Sequence, residues 1–255
     1  MLEKIANWLK SKGLRIGFVE LLILVIGLFM SFQLDRWNVE RLRQQDGNVY
    51  VGQLVKDLQA DYEGAQTRID YLLQVQHHGQ TALTLWDGVV AGDPRDLVVS
   101  LYQASQIYPF IANLATYEDL KSTGNMDLVG DASVRSELFL YYNSHEVNLV
   151  VVGREPLYRM AIRGVIPFHV QELIRGPCAY LVPGVVTKEL LTENCDIELE
   201  KEEAKRILAA VREHPSLLQQ LHQKLAQDRV LRDLYESQVA GAQTLITALD
   251  SSKKP

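Results

Sequence analysis

The chain has 255 residues, of which 47% are hydrophobic, and a formal net charge of −6 at pH 7. Its lysines and arginines alternate with acidic residues and form no basic stripe, which argues against a nucleic-acid partner. The six histidines show no zinc-ligand spacing, and the chain has no phosphate-binding loop, dinucleotide fingerprint or nucleophile elbow. We therefore expect no metal, no cofactor and no enzymatic activity.

Residues 14–35 form the most apolar segment of the chain and are long enough to cross a bilayer as a helix. From Ile16 onward only Glu20, Ser31 and Gln33 interrupt it. The segment is longer than the apolar part of a cleaved signal peptide, and no small-residue cleavage site follows it. The sequence therefore predicts an uncleaved signal anchor, with residues 1–13 in the cytoplasm and residues 36–250 translocated across the membrane. Positive charges on the two sides differ only slightly, so this orientation depends mainly on the short N-terminal segment.

One face of this segment carries small residues at alternating spacings of four and three. Close packing of two membrane helices favours small residues in this arrangement. A charged side chain on the same face is costly in lipid and should contact protein, water or headgroups. The alternative is that the carboxylate reaches the cytoplasmic headgroups and the glycines are incidental. The predicted packing face comprises Gly13, Gly17, Glu20, Leu24, Gly27, Ser31 and Leu34.

The helix is predicted to continue out of the membrane to about Trp86. Apolar residues recur along it with the same spacing, at Val51, Val55, Leu58, Tyr62, Ala65, Ile69 and Leu72. The polar residues that lie off this pattern are Lys56, Asp57, Gln59, Asp61, Arg68 and Asp70. Gly47 and Gly52 are expected to weaken the helix locally. The segment DGVVAGDP then predicts a turn, with Pro94 in the first turn of a second helix over 95–107.

Residues 116–143, TYEDLKSTGNMDLVGDASVRSELFLYYN, predict a helix–turn–helix corner. We predict that Thr116 caps the first helix, with Asp119 completing a capping box. Gly124 occupies the position at which a helix commonly ends in a left-handed residue, and Asn125 follows it. The sequence around Asp131 opens the next helix. Its apolar face comprises Val134, Leu138, Tyr141 and Tyr142.

The helix after the corner is predicted to run toward Ile166, with Pro156 either bending it or starting a new helix. Prolines and glycines make the region around Cys178 an irregular loop, and no strand-like alternation is evident. Cys178 and Cys195 either form a disulfide or remain two free thiols. The acidic segment 196–203 precedes a short helix, and Pro215 starts a final helix before a frayed tail at 251–255. Leucines and a valine form the expected apolar face of that helix: Leu218, Leu221, Leu225, Leu234, Val239, Leu245 and Leu249.

The fold class predicted from these elements is all-α: a transmembrane helix, a long juxtamembrane helix and an extracytoplasmic helical bundle. Two stretches also resemble a broad group of uncharacterised bacterial single-pass membrane proteins. The residues that carry this resemblance are Glu20, Gly27, Gln33, Trp37, Asn38 and Glu40 in the anchor, and Tyr117, Leu120, Ser122, Gly124, Asn125, Leu128, Arg135, Leu138, Tyr141, Tyr142 and Asn143 in the corner. The resemblance implies a location in the bacterial inner membrane with a periplasmic domain, and it implies no activity.

These features favour a non-enzymatic scaffold or accessory subunit of a bacterial envelope complex. Its expected partners are the lipid bilayer and either a second copy of the chain or another membrane protein. The alternative is a sensory or ligand-binding module that signals through a membrane partner, because the short cytoplasmic segment holds no output domain. In that case a set of tyrosines would line a pocket instead of filling a helical core: Tyr102, Tyr108, Tyr117, Tyr141, Tyr142 and Tyr158.

Overall fold

The computed structural model describes the backbone of residues 2–88, 91–152, 155–184, 188–192 and 195–252. Side chains are described for 21–88, 91–145, 155–184, 188–192 and 195–251. The fold is all-α, as the sequence predicts, and it also contains one small sheet that the sequence does not predict. Its elements in chain order are α1 Leu2–Trp86, α2 Pro94–Gln103, α3 Ala115–Thr123, a short 3₁₀ helix Met126–Leu128, α4 Ala132–Val152, α5 Leu157–Val165, α6 Phe168–Arg175, β1 Ala179–Val182, β2 Lys188–Leu191, α7 Lys201–Arg212 and α8 Ser216–Ser252.

The two longest helices, α1 and α8, pack against each other in antiparallel directions. Gly79 lies against the side chain of Leu225, and three residues earlier on α1 the Gln76 Oε1 accepts a hydrogen bond from Arg232 of α8. Buried or half-buried residues of α8 alternate at spacings of four and three, as expected for helices that wind around each other. They are Leu217, Leu221, Lys224, Asp228, Leu231, Tyr235, Gln238, Ala242, Leu245 and Leu249. This stripe shares Leu221, Leu245 and Leu249 with the predicted apolar face, whose other members are half-buried.

Two hydrophobic cores lie one after the other along this helix pair. The proximal core, nearer the exposed N-terminal part of α1, combines α1 from Val51 to Leu72 with the corner, α4 and the second half of α8. The distal core surrounds Ala82 and combines α2, α5, α6, α7 and the start of α8. Because α1 and α8 run through both cores, they join the two halves of the bundle.

The ends of the corner helices are fixed largely as the sequence predicts. Gly124 ends α3 in the left-handed region with φ of 73°. The carboxylate of Asp131 accepts hydrogen bonds from the backbone N–H groups of Ser133 and Val134, which caps α4. The predicted capping box at Thr116 is wrong. Leu114 is the N-cap of α3, and the Thr116 hydroxyl donates instead to Asp57 of α1 at 2.5 Å.

Three element boundaries differ from the prediction. The second helix ends at Gln103 and not near Ile107, because Ala104 and Ser105 form a turn. The helix after the corner ends at Val152. Of the two predicted roles of Pro156, the structure shows the start of a new helix, because Pro156 is the N-cap of α5. Helix α8 extends through Ser252, into the segment predicted as a frayed tail.

The region around Cys178 is not wholly irregular, because β1 and β2 form an antiparallel pair with Ala179 opposite Leu191. The side chain of Gln74 on α1 both donates to the carbonyl of Leu191 and accepts from its N–H, at 3.0 and 2.9 Å. The Gln74 side chain thus hydrogen-bonds the backbone N–H and C=O groups of Leu191 on β2, as a neighbouring strand would. Cys178 and Cys195 are joined by a disulfide. A hairpin with only four residues a side has little alternation to reveal it in sequence.

Candidate functional site

The N-terminal part of α1 carries the largest exposed apolar surface of the described residues. Every residue from 21 to 46 is exposed, including Leu24 at 64% and Phe29 at 62%. The helix is long and apolar enough over this region to cross a membrane. A soluble protein rarely exposes so large a contiguous apolar surface.

The described part of the predicted packing face, from Leu24 to Leu34, lies on this exposed segment. Gly27 has no atom of the described chain within 4 Å of where a Cβ would be, and Ser31 is exposed. Gln33, Trp37 and Asn38 are likewise exposed. The Arg41 guanidinium lies 5.8 Å from the centre of the Trp37 ring. The predicted contacts of Gly13, Gly17 and Glu20 fall outside the residues whose side chains are described.

The corner docks on α1 shortly after this exposed segment. A Cβ on Gly47 would lie 2.9 Å from the carbonyl oxygen of Leu128, so the absence of a side chain permits the close approach. Arg43 forms an ion pair with Asp127, and the Tyr50 hydroxyl donates to Asp119 at 3.0 Å. The sequence predicts that Gly47 weakens the helix locally. In the structure, α1 and the corner approach each other closely at this residue.

Two carboxylates of α1, one turn apart, hold the segment that leads into the corner. Asp57 accepts from the Thr116 hydroxyl. Asp61 accepts from the backbone N–H and the side-chain amide of Asn113 at 2.7 and 2.8 Å, and from the Tyr141 hydroxyl at 3.2 Å. Asp61 has no exposed surface, although it lies off the apolar pattern of α1. Burial raises the pKa of Asp61, while the hydrogen bonds from Asn113 and Tyr141 act in the opposite direction.

The corner residues named by the resemblance range from buried to exposed. Tyr117, Leu120, Tyr141 and Tyr142 lie in the proximal core. Tyr117 stacks on Tyr142 with ring centres 4.5 Å apart. Asn125 donates its backbone N–H to Leu120 in the turn after α3, and Asn143 is exposed on α4. Most of these residues therefore build the corner, and Gly124 and Asn125 terminate its first helix.

The six tyrosines considered for a ligand pocket do not share one site. Tyr117, Tyr141 and Tyr142 fill the proximal core, whereas Tyr102 and Tyr158 fill the distal core. Tyr108 lies edge-on to Tyr71 at 5.1 Å. A cavity beside Tyr158 has a volume of about 10 Å³ and an apolar lining, which is too small for a ligand. Ring contacts occupy the space around Tyr108, Tyr117, Tyr141 and Tyr142, whereas the Tyr158 hydroxyl donates to the carbonyl of Leu101.

Charged side chains elsewhere in the bundle are paired or dispersed. Lys224 and Asp228 form an ion pair on the buried face of α8, with side chains 1% and 5% exposed. Burial lowers the pKa of Lys224 and raises that of Asp228. Within the described residues, no group of three or more histidines, cysteines or acids is arranged to hold a metal ion. The four–three spacing of α8 includes both charges, so this spacing was the sequence signal that could have located the pair.

Comparisons of the chain with protein-family models, curated proteins and solved structures gave no match.

Proposed function

We propose that the protein is a non-enzymatic, single-pass scaffold or accessory subunit of a bacterial envelope complex. One observation supports this proposal above the others. The same continuous helix, Leu2–Trp86, carries the exposed apolar segment and then contributes residues to both cores of the bundle. A helix shared in this way fixes the bundle relative to the anchor, as a scaffold requires.

The bundle is held at a distance from the bilayer. Residues 36–46 follow the proposed span and are exposed, and at 1.5 Å per helical residue they cover about 16 Å. Trp37 lies where interfacial aromatic residues are common. Arg43 makes the first described contact between this stretch and the bundle, with Asp127 of the corner. The stretch thus leaves one end of the anchor helix accessible to a partner just outside the headgroups.

One observation favours a periplasmic bundle. The disulfide between Cys178 and Cys195 is typical of an oxidising compartment. With a single span, a periplasmic bundle places the other end of the helix in the cytoplasm. We propose the bacterial inner membrane as the site, as the resemblance implies.

The proposed association surface is the small-residue face of the anchor, which pairs with a second copy or with another membrane protein. Gly27 and Ser31 lie on this face, and Leu22 and Phe29 lie on the opposite side of the helix. Because both natural cysteines are engaged in the disulfide, an introduced cysteine supplies the one reactive thiol.

The experiment places single cysteines at Gly27, Ser31, Leu22 and Phe29 and oxidises them in native membranes. We expect protein adducts from Gly27→Cys and Ser31→Cys at least several times more abundant than from Leu22→Cys and Phe29→Cys. Mass spectrometry of the adducts identifies a second copy or a different partner. Equal yields on the two faces would contradict the proposed association surface.

A further inference from the structure

Two arginines on α5 converge on the loop that follows α2. Arg159 Nη1 donates to the backbone carbonyl of Ser105 at 3.0 Å. Arg163, one turn later, donates from Nε to the Ser105 hydroxyl at 3.1 Å and from Nη2 to Gln106 Oε1 at 2.8 Å. Both guanidinium groups therefore reach the same residue of the loop and are held close together despite their like charge.

The positive charge at this point is only partly neutralised. Arg159 pairs with Glu155, whose side chain is 54% exposed, and such pairs contribute little in water. Arg163 makes its side-chain hydrogen bonds to neutral acceptors and forms no ion pair within the described part of the chain. Burial, and then the charges of Arg159 and Arg175, lower the pKa of Arg163. Like charges held together in this way favour a bound anion.

The two guanidinium groups retain N–H donors that no described residue accepts. Arg159 Nη2 and Arg163 Nη1 have no acceptor among the described residues, and neither atom is among the buried polar atoms without partners. These are the donors that a ligand would engage. The Arg163 guanidinium also lies 4.8 Å from the centre of the Tyr102 ring, which orients its plane.

We propose that Arg159 and Arg163 bind a phosphate group. Arginine is well suited to phosphate because its planar donors match two oxygens of the anion. A phosphate monoester carries about two negative charges at neutral pH, which matches the two guanidinium groups better than a single carboxylate does.

The site lies too far from the anchor to take phosphate from the headgroups of the same bilayer. The loop crosses α1 near Arg68, whose guanidinium lies 4.1 Å from the centre of the Tyr108 ring. At 1.5 Å per residue, Arg68 is about 50 Å beyond the end of the proposed span at residue 35. The phosphate must therefore come from a soluble or polymer-borne ester. This step, unlike the binding itself, rests on the proposed membrane anchoring.

The experiment titrates the full-length protein in neutral detergent with inorganic phosphate by calorimetry, at constant ionic strength maintained with chloride. The test variants are Arg159→Lys and Arg163→Lys, which keep the charge and remove the planar donor geometry. The matched control is Arg229→Lys on α8, because Arg229 forms an exposed ion pair with Asp233. Far-UV circular dichroism checks that all variants remain folded.

We expect saturable phosphate binding by the natural protein and by Arg229→Lys. Binding should weaken roughly tenfold in each of the two test variants, as expected when one charged hydrogen bond is lost. No saturable binding, or binding that persists unchanged in Arg159→Lys and Arg163→Lys, would show that the two arginines serve only to fix the Ser105 loop.

A second arm tests the source of the phosphate. The protein is placed in nanodiscs of a zwitterionic lipid or of phosphatidylglycerol, and the phosphate titration is repeated. We expect the same dissociation constant in both, because the headgroups of the disc lie out of reach. Competition by phosphatidylglycerol would overturn the assignment to a soluble ester. Phosphate binding in detergent does not require the anchor to span a bilayer, so it can stand even if the cysteine experiment contradicts the proposed function.

Discussion

The proximal and distal halves of the bundle share two helices but are held together by different chemistry. In the proximal half, carboxylates of α1 bind the segment before the corner, through Asp57 and Asp61. In the distal half, the Cys178–Cys195 disulfide closes the hairpin region. Isolated helices as short as α5 and α6, with 9 and 8 residues, are marginal in water. The comparison shows that the proximal half holds the segment before the corner on α1 through buried hydrogen bonds, whereas a covalent bond closes the hairpin region of the distal half.

The largest expected loss of stability comes from removing the Asp61 carboxylate, which holds the proximal half. Asp61→Ala leaves the donors of Asn113 and Tyr141 without their acceptor in a buried site. We expect a loss of about 3–5 kcal/mol in the free energy of unfolding. Hydrogen exchange should show that α3 loses protection before α7 does.

The conservative variant Asp61→Asn serves as the matched control for that experiment. An amide keeps an oxygen that can accept from Asn113. It also removes the ionisable carboxyl group, whose pKa is raised by burial. We expect it to cost markedly less than Asp61→Ala. If both variants were equally harmful, or if α7 lost protection first, the carboxylate would not be what fastens the proximal half.

The distal half is tested by removing its covalent link. A disulfide that spans 17 residues contributes about 3 kcal/mol in the chain-entropy description. The double variant Cys178→Ser and Cys195→Ser should lose that amount, and exchange should increase in β1 and β2 while α3 stays protected. An equal loss of protection in α3 would contradict the independence of the two halves.

Smaller changes in stability are expected from replacing two glycines of α1 with alanine. Gly47→Ala places a Cβ 2.9 Å from the carbonyl oxygen of Leu128, whereas Gly52→Ala meets nothing within 4 Å. We expect Gly47→Ala to destabilise the protein by about 1–3 kcal/mol and Gly52→Ala to stabilise it by up to about 1 kcal/mol. Urea unfolding of both variants measures the difference. Stabilisation by Gly47→Ala would show that the corner does not dock against α1 at this point.

The smallest effect concerns Asp93, which caps α2 in the distal half. Hydrogen bonds from Arg95, and then from Lys201, hold the pKa of Asp93 below its ordinary range. A lowered pKa means that the cap stabilises the folded protein above the ordinary pKa of about 3.9 and loses this contribution as the pH falls through the folded-state pKa.

The stability difference between the natural protein and Asp93→Asn should therefore be constant from about pH 8 to pH 5 and shrink below about pH 4. Thermal unfolding of the two proteins across this range measures it. A difference that grows on acidification would have the wrong sign for a cap of this kind.

Sequence reasoning succeeded where one residue determines a local backbone geometry. Gly124 and Asp131 terminate and start the corner helices as predicted, because their conformations and hydrogen bonds depend on near neighbours. It failed where the partner of a side chain lies far along the chain. Thr116 binds Asp57 across 59 positions, and Asp61 is buried by a segment that no local pattern could bring to it.

The same limit applies to the candidate site. The apolar segment and the corner were visible in sequence, and their docking through Gly47 and Leu128 was not. The arginines at Ser105 were not singled out either. Arg159 and Arg163 are one turn apart on α5, but only the tertiary fold brings them to a loop 54 and 58 residues earlier.

The most direct test of the central claim is the accessibility of single cysteines to a membrane-impermeant maleimide in intact spheroplasts. The account predicts that Gln243→Cys, exposed on α8, reacts before lysis, that Lys4→Cys reacts only after lysis, and that the protein stays in the membrane at alkaline pH. Reaction of Lys4→Cys alone in intact spheroplasts, or release of the protein by alkaline carbonate, would contradict an anchored bundle displayed outside the cytoplasm.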